Sequence, residues 1–300
     1  SYAVLGPLHY LTELHWLKSK KFFLQKQQNP FNSIFSISLI IIPIVILVAS
    51  FYFFGQKIDA LLGIIIIGFF LIAYLLAHFS ISRKVMFLLV IAIVCLLLGL
   101  FYAKMGVLVI LGVFIPTLIH VYFFTGLFMI NGYLKKPSIL SFINFSLLFI
   151  VPFVIYFIPI ESFLIDLKSP SEKIYSSTNF KNLNDWMITT FNIAEHNKRT
   201  VFIKIQIFIA FAYTYHYLNW FVKTSIIGWT KNLSLKKGIL VLAIWILSIA
   251  LYWNNYQLGL TVLFVLSMMH VLAEFPLNAI SINTIIRKIF RYNDKTKRKY

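Results

Sequence analysis

The sequence predicts an all-α, polytopic transmembrane helix bundle. Three observations carry that reading. Hydrophobic residues make up 60% of the 300-residue chain, charged residues only 12%, and the mean hydropathy is +0.86, well outside the composition of soluble domains. Apolar runs of spanning length follow one another along the whole chain, leaving one break of any size, at 161–200. Basic residues collect in every second break. Residues 1–300 therefore read as a single integral membrane domain with no room for a separate soluble one.

A helix that crosses the hydrocarbon needs about 20 mostly apolar residues. We count about nine such runs, at roughly 1–17, 33–54, 59–80, 85–103, 106–134, 139–160, 201–223, 238–253 and 256–280. The first run is short and the chain opens on Ser rather than Met, so an N-terminal part is expected to precede it. Basic residues follow that run rather than lead it, which is not the pattern of a signal peptide. The eighth run is short enough to be tilted or partly interfacial.

The charges set an orientation. Lys18, Lys20, Lys21 and Lys26 follow the first run, Arg83 and Lys84 the third, and Lys135 and Lys136 the fifth. Lys223, Lys231, Lys236 and Lys237 follow the seventh, and the ninth ends in a tail at 286–300 that holds Arg287, Lys288, Arg291, Lys295, Lys297, Arg298 and Lys299. The alternate breaks hold little beyond Lys57, Lys104 and Asn254-Asn255. By the positive-inside rule the basic breaks and the C-terminal tail are expected in the cytoplasm, as in a bacterial inner-membrane protein. The loop at 161–200 balances Lys168, Lys173, Lys181, Lys198 and Arg199 against Glu161, Asp166, Glu172, Asp185 and Glu195. It is expected outside, with an interfacial helix near Trp186.

Several functional classes are disfavoured at this point. The net charge of +18 is a topology signal and not a nucleic-acid footprint, because it falls between apolar runs. The lone cysteine, Cys95, excludes an intramolecular disulfide and a Cys-based metal site. No Gly-x-Ser-x-Gly elbow and no Gly-rich phosphate loop occurs, which argues against triad hydrolysis and against ATP or NAD chemistry.

Histidines supply the functional signal. His9, His120, His216 and His270 lie inside apolar runs one, five, seven and nine, which all cross in the same direction, and polar groups at such depth are costly unless they serve a purpose. Each of two has a carboxylate four residues later: Glu13 after His9 and Glu274 after His270, one helical turn away on the same face. An early end or bend at Asn131-Gly132 and at Glu274-Phe275-Pro276 would allow His120 and His270 to reach the level of the other two. We therefore expect the four histidines to converge on a metal, iron or zinc, with Glu13 and Glu274 ligating it or holding a ring nitrogen. The alternative for each histidine alone is a hydrogen bond to a neighbouring helix. His15, His78 and His196 sit near or in polar breaks and are left out of the site.

Aromatic residues form 18% of the chain, with 31 Phe and 16 Tyr. Ordinary packing and lipid contact account for many of them, and a lining of flat rings also suits a polyene or sterol-like molecule entering from the bilayer. The stretch Tyr213-Thr214-Tyr215-His216-Tyr217-Leu218-Asn219-Trp220 is the most polar and aromatic inside any run, so it should face the bundle. Lys204 and Gln206, near the outer end of the same run, can snorkel.

In these motifs the chain resembles the Brp/Blh family of membrane β-carotene dioxygenases. Gly6-Pro7-Leu8-His9-Tyr10-Leu11-Thr12-Glu13 is similar to that family's Gly-Leu-Pro-His-Gly-x-x-Asp signature. Leu118-Ile119-His120-Val121-Tyr122 is similar to its Ile-His-Phe-Gly run, and Met269-His270-Val271-Leu272-Ala273-Glu274 approaches its Pro-His segment followed by an acid. Tyr215-His216-Tyr217-Leu218-Asn219-Trp220 matches an aromatic segment with two histidines four apart, with Trp220 where the second would stand. The chain departs from the pattern in the exchanged Pro7 and Leu8, in Tyr10 in place of glycine, and at Trp220. The resemblance implies histidine-bound Fe(II) and O₂-dependent oxidation or cleavage of an apolar, carotenoid-like substrate. The alternatives are a transporter or lipid-binding protein without redox chemistry, in which the histidines and Glu274 form a path, and a b-type haem protein using two of the histidines as axial ligands.

Overall fold

The computed structural model describes residues 2–19, 37–45, 48, 56–78, 87, 90–94, 115–160, 185, 188–189, 192–194, 197–222, 228, 230 and 233–297. Its main elements are α1 (Tyr2–Ser19), α2 (Gln56–His78), a π-helix (Ile115–Phe124) that runs into α3 (Thr125–Lys135), α4 (Ile139–Phe157), α5 (Lys198–Val222), α6 (Leu235–Asn254) and α7 (Tyr256–Lys297). No strand occurs among the described residues.

Four helical stretches are long and apolar enough to cross a membrane: Ile139–Phe157, Lys198–Val222, Leu235–Asn254 and Leu258–Lys288. They correspond to the sixth to ninth expected runs. Leu118–Leu134 and Ile64–Leu75 are shorter apolar helices within the fifth and third. The runs at 33–54 and 85–103 lie largely outside the described residues, as do Cys95, Trp186 and most of the loop at 161–200.

Neither helix ends where an early end or bend is expected. Asn131-Gly132 lies inside α3, which continues to Lys135, and α7 passes through Pro276 without ending. A proline inside a helix costs about 3 kcal/mol through a lost N–H bond and a clash with the carbonyl one turn back. Here Leu272, Ala273, Phe275 and Ala279 are fully buried around it, so packing on several sides holds the helix. The tail expected at 286–300 is accordingly helical as far as Lys297.

Helix α7 is the hub. It packs against α1, α2, α3, α6 and the π-helix, and its residues Met268, Val271, Leu272, Ala273 and Phe275 join Leu17, Ile66, Phe69, Ala73 and Phe124 in one core. It buries far more of its apolar length than α4 or α6, and those two helices turn most of their surface outward. Ile139, Phe153, Leu235 and Trp253 are among the apolar side chains they expose. An outward apolar surface of this kind suits contact with lipid.

The helix ends follow from local chemistry. Pro137 cannot continue α3, and the Ser138 side chain accepts the Ser141 backbone N–H to start α4. Asn255 separates α6 from α7 by a single residue, and its Oδ1 accepts the Leu258 N–H at 3.0 Å. So tight a turn brings the two helices close at Gly259, where a Cβ would stand 2.7 Å from Tyr252 Cδ1.

Candidate metal centre

The four histidines singled out in the sequence meet in the interior of the bundle. His9 comes from α1, His120 from the π-helix, His216 from α5 and His270 from α7, and all four are buried. Taken in the order His9, His216, His120, His270, neighbouring ring centroids are 4.6, 5.3, 4.9 and 5.3 Å apart, the last figure closing the circle back to His9. The arrangement is a quadrilateral of imidazoles. Its closest nitrogens are the Nε2 atoms, 2.9 Å between His9 and His216 and 3.0 Å between His120 and His270. Ligand nitrogens of His9, His216 and His270 all lie within 4.8 Å of one another.

Two of the rings are turned by partners on their outer nitrogens. The Thr125 hydroxyl donates to the Val121 carbonyl at 2.8 Å, so at its 2.7 Å contact with His216 it must accept from Nδ1–H. His270 Nδ1 lies 2.5 Å from the Ser267 carbonyl, which can only accept, and therefore also carries its proton there. In the neutral imidazole a proton on Nδ1 leaves a lone pair on Nε2. His216 and His270 thus direct lone pairs to the centre, each toward a second histidine.

The carboxylates take different places. Glu13 Oε2 stands 3.0 Å from His9 Nε2, on the inner side of the quadrilateral. Glu274 Oε2 stands 3.0 Å from His120 Nδ1, the outer nitrogen, although the pair is out of line for a hydrogen bond. Glu13 is therefore a fifth candidate donor, while Glu274 is placed to orient His120. Both are buried, and no Lys or Arg forms a salt bridge to either among the described residues. Leaving two carboxylates in such surroundings is costly without a counter-charge.

Aromatic rings close round this centre. Tyr10 stacks on His270 at 4.2 Å and shares a 2.9 Å hydroxyl contact with Tyr217. Tyr217, Trp220 and Phe221 stand 5.2, 5.6 and 6.4 Å from the His9 ring. Gly6 permits this packing, since a Cβ there would lie 3.1 Å from the Tyr10 hydroxyl and 3.2 Å from that of Tyr217. Trp220 donates its indole N–H to Thr12 Oγ1 at 3.0 Å and holds α5 to α1. Its role here is that of a structural clamp.

Of the histidines left out of the site, His15 lies on α1 and is not part of the quadrilateral, while the side chain of His78 and all of His196 fall outside the described residues. Lys204, expected to snorkel, donates to the Tyr156 carbonyl at 2.6 Å on the exposed surface. Thr125 and Ser267 did not stand out in the sequence. Thr125 follows His120 by five residues, one turn of a π-helix but well off its face in an α-helix, so α-helical spacing hides the relation. Ser267 acts through its backbone carbonyl, which any residue would supply.

No family model, no curated protein and no solved structure matches this chain.

Proposed function

We propose that the protein is a membrane non-haem metal oxygenase with Fe(II) held by His9, His120, His216 and His270. The observation that carries the metal part of this reading is the pair of Nε2–Nε2 separations, 2.9 and 3.0 Å, each involving one ring, His216 or His270, whose outer nitrogen is hydrogen-bonded elsewhere. Neighbouring ligands at a metal–nitrogen distance of about 2.0–2.1 Å stand roughly 3 Å apart, so the spacing is that of donors sharing one ion. Four neutral imidazoles also suit iron or zinc better than a hard cation such as calcium. A divalent ion would balance the charges of Glu13 and Glu274, to which no Lys or Arg among the described residues forms a salt bridge.

When bound, ferrous iron supplies the capacity to bind and activate O₂. The chain's own contribution is positional. Thr125 and the Ser267 carbonyl fix two imidazoles, and Glu274 lies against a third. Tyr10, Tyr217, Trp220 and Phe221 surround His9 and His270 with flat rings and keep bulk water away. An apolar, carotenoid-like polyene fits such surroundings, and the outward apolar faces of α4 and α6 agree with delivery from the bilayer. A b-type haem gains no support, because a macrocycle would have to pass between imidazoles whose nitrogens are 2.9 Å apart.

The test is O₂ consumption by detergent-purified protein loaded anaerobically with ferrous iron and mixed with β-carotene. Polyene-dependent O₂ uptake with bleaching of the polyene absorption supports the oxygenase reading. Binding without O₂ uptake would move the protein to the transport or lipid-binding class.

A further inference from the structure

Beyond Glu274, α7 carries polar side chains for which the metal centre has no use. Ser267, His270, Glu274, Asn278, Ser281 and Lys288 follow at spacings of three, four or seven residues, so they lie along one face of the helix. Asn278 and Ser281 are each only 1% exposed. Neither the amide oxygen nor the amide nitrogen of Asn278, nor the hydroxyl of Ser281, has a hydrogen-bond partner among the described residues. Glu274 Oε2 is in the same position, apart from its out-of-line approach to His120.

Orphaned polar groups on consecutive turns are expensive in a bundle interior. Buried water, with two to four hydrogen bonds per molecule, is the usual remedy. The π-helix and α3 run beside this stripe. His120 faces His270 and Glu274 at one end, and at the other Lys288 Nζ donates to the Leu134 carbonyl at 3.0 Å. His120 to Leu134 and Glu274 to Lys288 cover the same number of residues, so the two helices keep step in the same direction. That places Asn131, whose Oδ1 is also buried without a partner, at a level between Ser281 and Lys288. Orphaned groups therefore continue from Glu274 toward the level at which Arg287 and Lys288 reach the surface.

We infer that Asn278, Ser281 and Asn131 line a file of bound water that joins the four-histidine centre to the basic end of α7. The file spans roughly 20 Å at ~1.5 Å per residue. It admits water and protons to the centre by a route separate from the aromatic side, where an apolar molecule would lie. The inference does not depend on which metal the histidines hold or on the oxygenase reading.

The sequence has a single cysteine, so hydration can be read by thiol chemistry in a Cys95→Ala background. Ser281→Cys and Asn278→Cys are compared with Ala279→Cys, which replaces a residue with no exposure on the opposite face of the same helix. The cysteine thiolate, which forms only where water reaches the sulfur, attacks the sulfenyl sulfur of methanethiosulfonate ethylammonium, forming a mixed disulfide and releasing methanesulfinate. Modification of Ser281→Cys and Asn278→Cys at least ~tenfold faster than of Ala279→Cys is expected. Equal rates at the three positions would overturn the inference. Ser281→Cys exchanges oxygen for sulfur at nearly constant shape and decides the matter if Asn278→Cys does not fold. If the Cys95→Ala background itself is unstable, radiolytic hydroxyl labelling of the unaltered chain replaces it. Oxidation of Ile285, on the stripe, several-fold above that of fully buried Leu272 is then expected, and equal labelling would overturn the inference.

Discussion

His120 and His270, on the π-helix and on α7, meet Nε2 to Nε2 at 3.0 Å while His270 keeps its proton on Nδ1 against the Ser267 carbonyl. A direct hydrogen bond between the rings would need the proton of His120 on Nε2. The lone pair on its Nδ1 would then face the Glu274 carboxylate, 3.0 Å away. A cation between the two Nε2 atoms removes this conflict, because His120 can then carry its proton on Nδ1 beside the carboxylate. The placement of Glu274 thus agrees with the proposed metal site.

Removal of the metal should therefore loosen the bundle and not only silence it. A ligand that binds the folded state at 1,000 times its dissociation constant contributes about 4 kcal/mol of stability. Chelation is expected to lower the thermal midpoint in detergent, and ferrous iron or zinc to restore it. A midpoint indifferent to chelator and metal would contradict the role given to the histidines.

Thr125→Val keeps the shape of the side chain and removes the acceptor for His216 Nδ1–H. Loss of such an outer partner typically costs 10–100-fold in metal affinity. We expect a loss of that order with helicity unchanged, and recovery in Thr125→Ser. Competition with a coloured chelator measures it.

Trp220→Phe separates a clamp from a ligand. The exchange removes the indole N–H bond to Thr12, worth about 1 kcal/mol, and leaves a ring beside His9. Metal content should be unchanged and the midpoint slightly lower. Loss of metal would give Trp220 a place in the centre that its contacts do not indicate.

Glycine substitutions test the packing that holds the centre. Gly259→Ala would place a Cβ 2.7 Å from Tyr252 Cδ1 and 3.0 Å from Tyr252 Cα, where backbone must move. Overpacking of this kind costs about 1–3 kcal/mol. Gly132→Ala, where a Cβ meets nothing within 4 Å, is the control and should be neutral or slightly stabilising. Thermal unfolding of the two variants side by side checks the difference.

Much of this was legible in the sequence because membrane burial punishes polar groups. His9, His120, His216 and His270 stood out against apolar surroundings, and so did Glu13 and Glu274 at one helical turn from a histidine. Their different roles were not legible: Glu13 is beside its own His9, but Glu274 turns to His120 on another helix instead of serving His270. Helix spacing reports what shares a face and says nothing of the partner across the interface. That α7 does not end at Pro276 has a related reason, since burial of Phe275 and Ala279 comes from α7's neighbours and outweighs a local preference. Convergence of the four histidines did not need either helix to end early, since both continue past these positions and the four rings still meet.

Metal analysis of the purified protein and of single His9→Ala and His216→Ala variants decides between a coordination site and a hydrogen-bonded histidine cluster. The proposal gives one iron or zinc ion per folded chain, no haem absorption, and loss of the ion in each variant with its helical circular dichroism retained. Variants that fold and keep their full metal content, or an unaltered protein that takes up neither iron nor zinc on reconstitution, would contradict it.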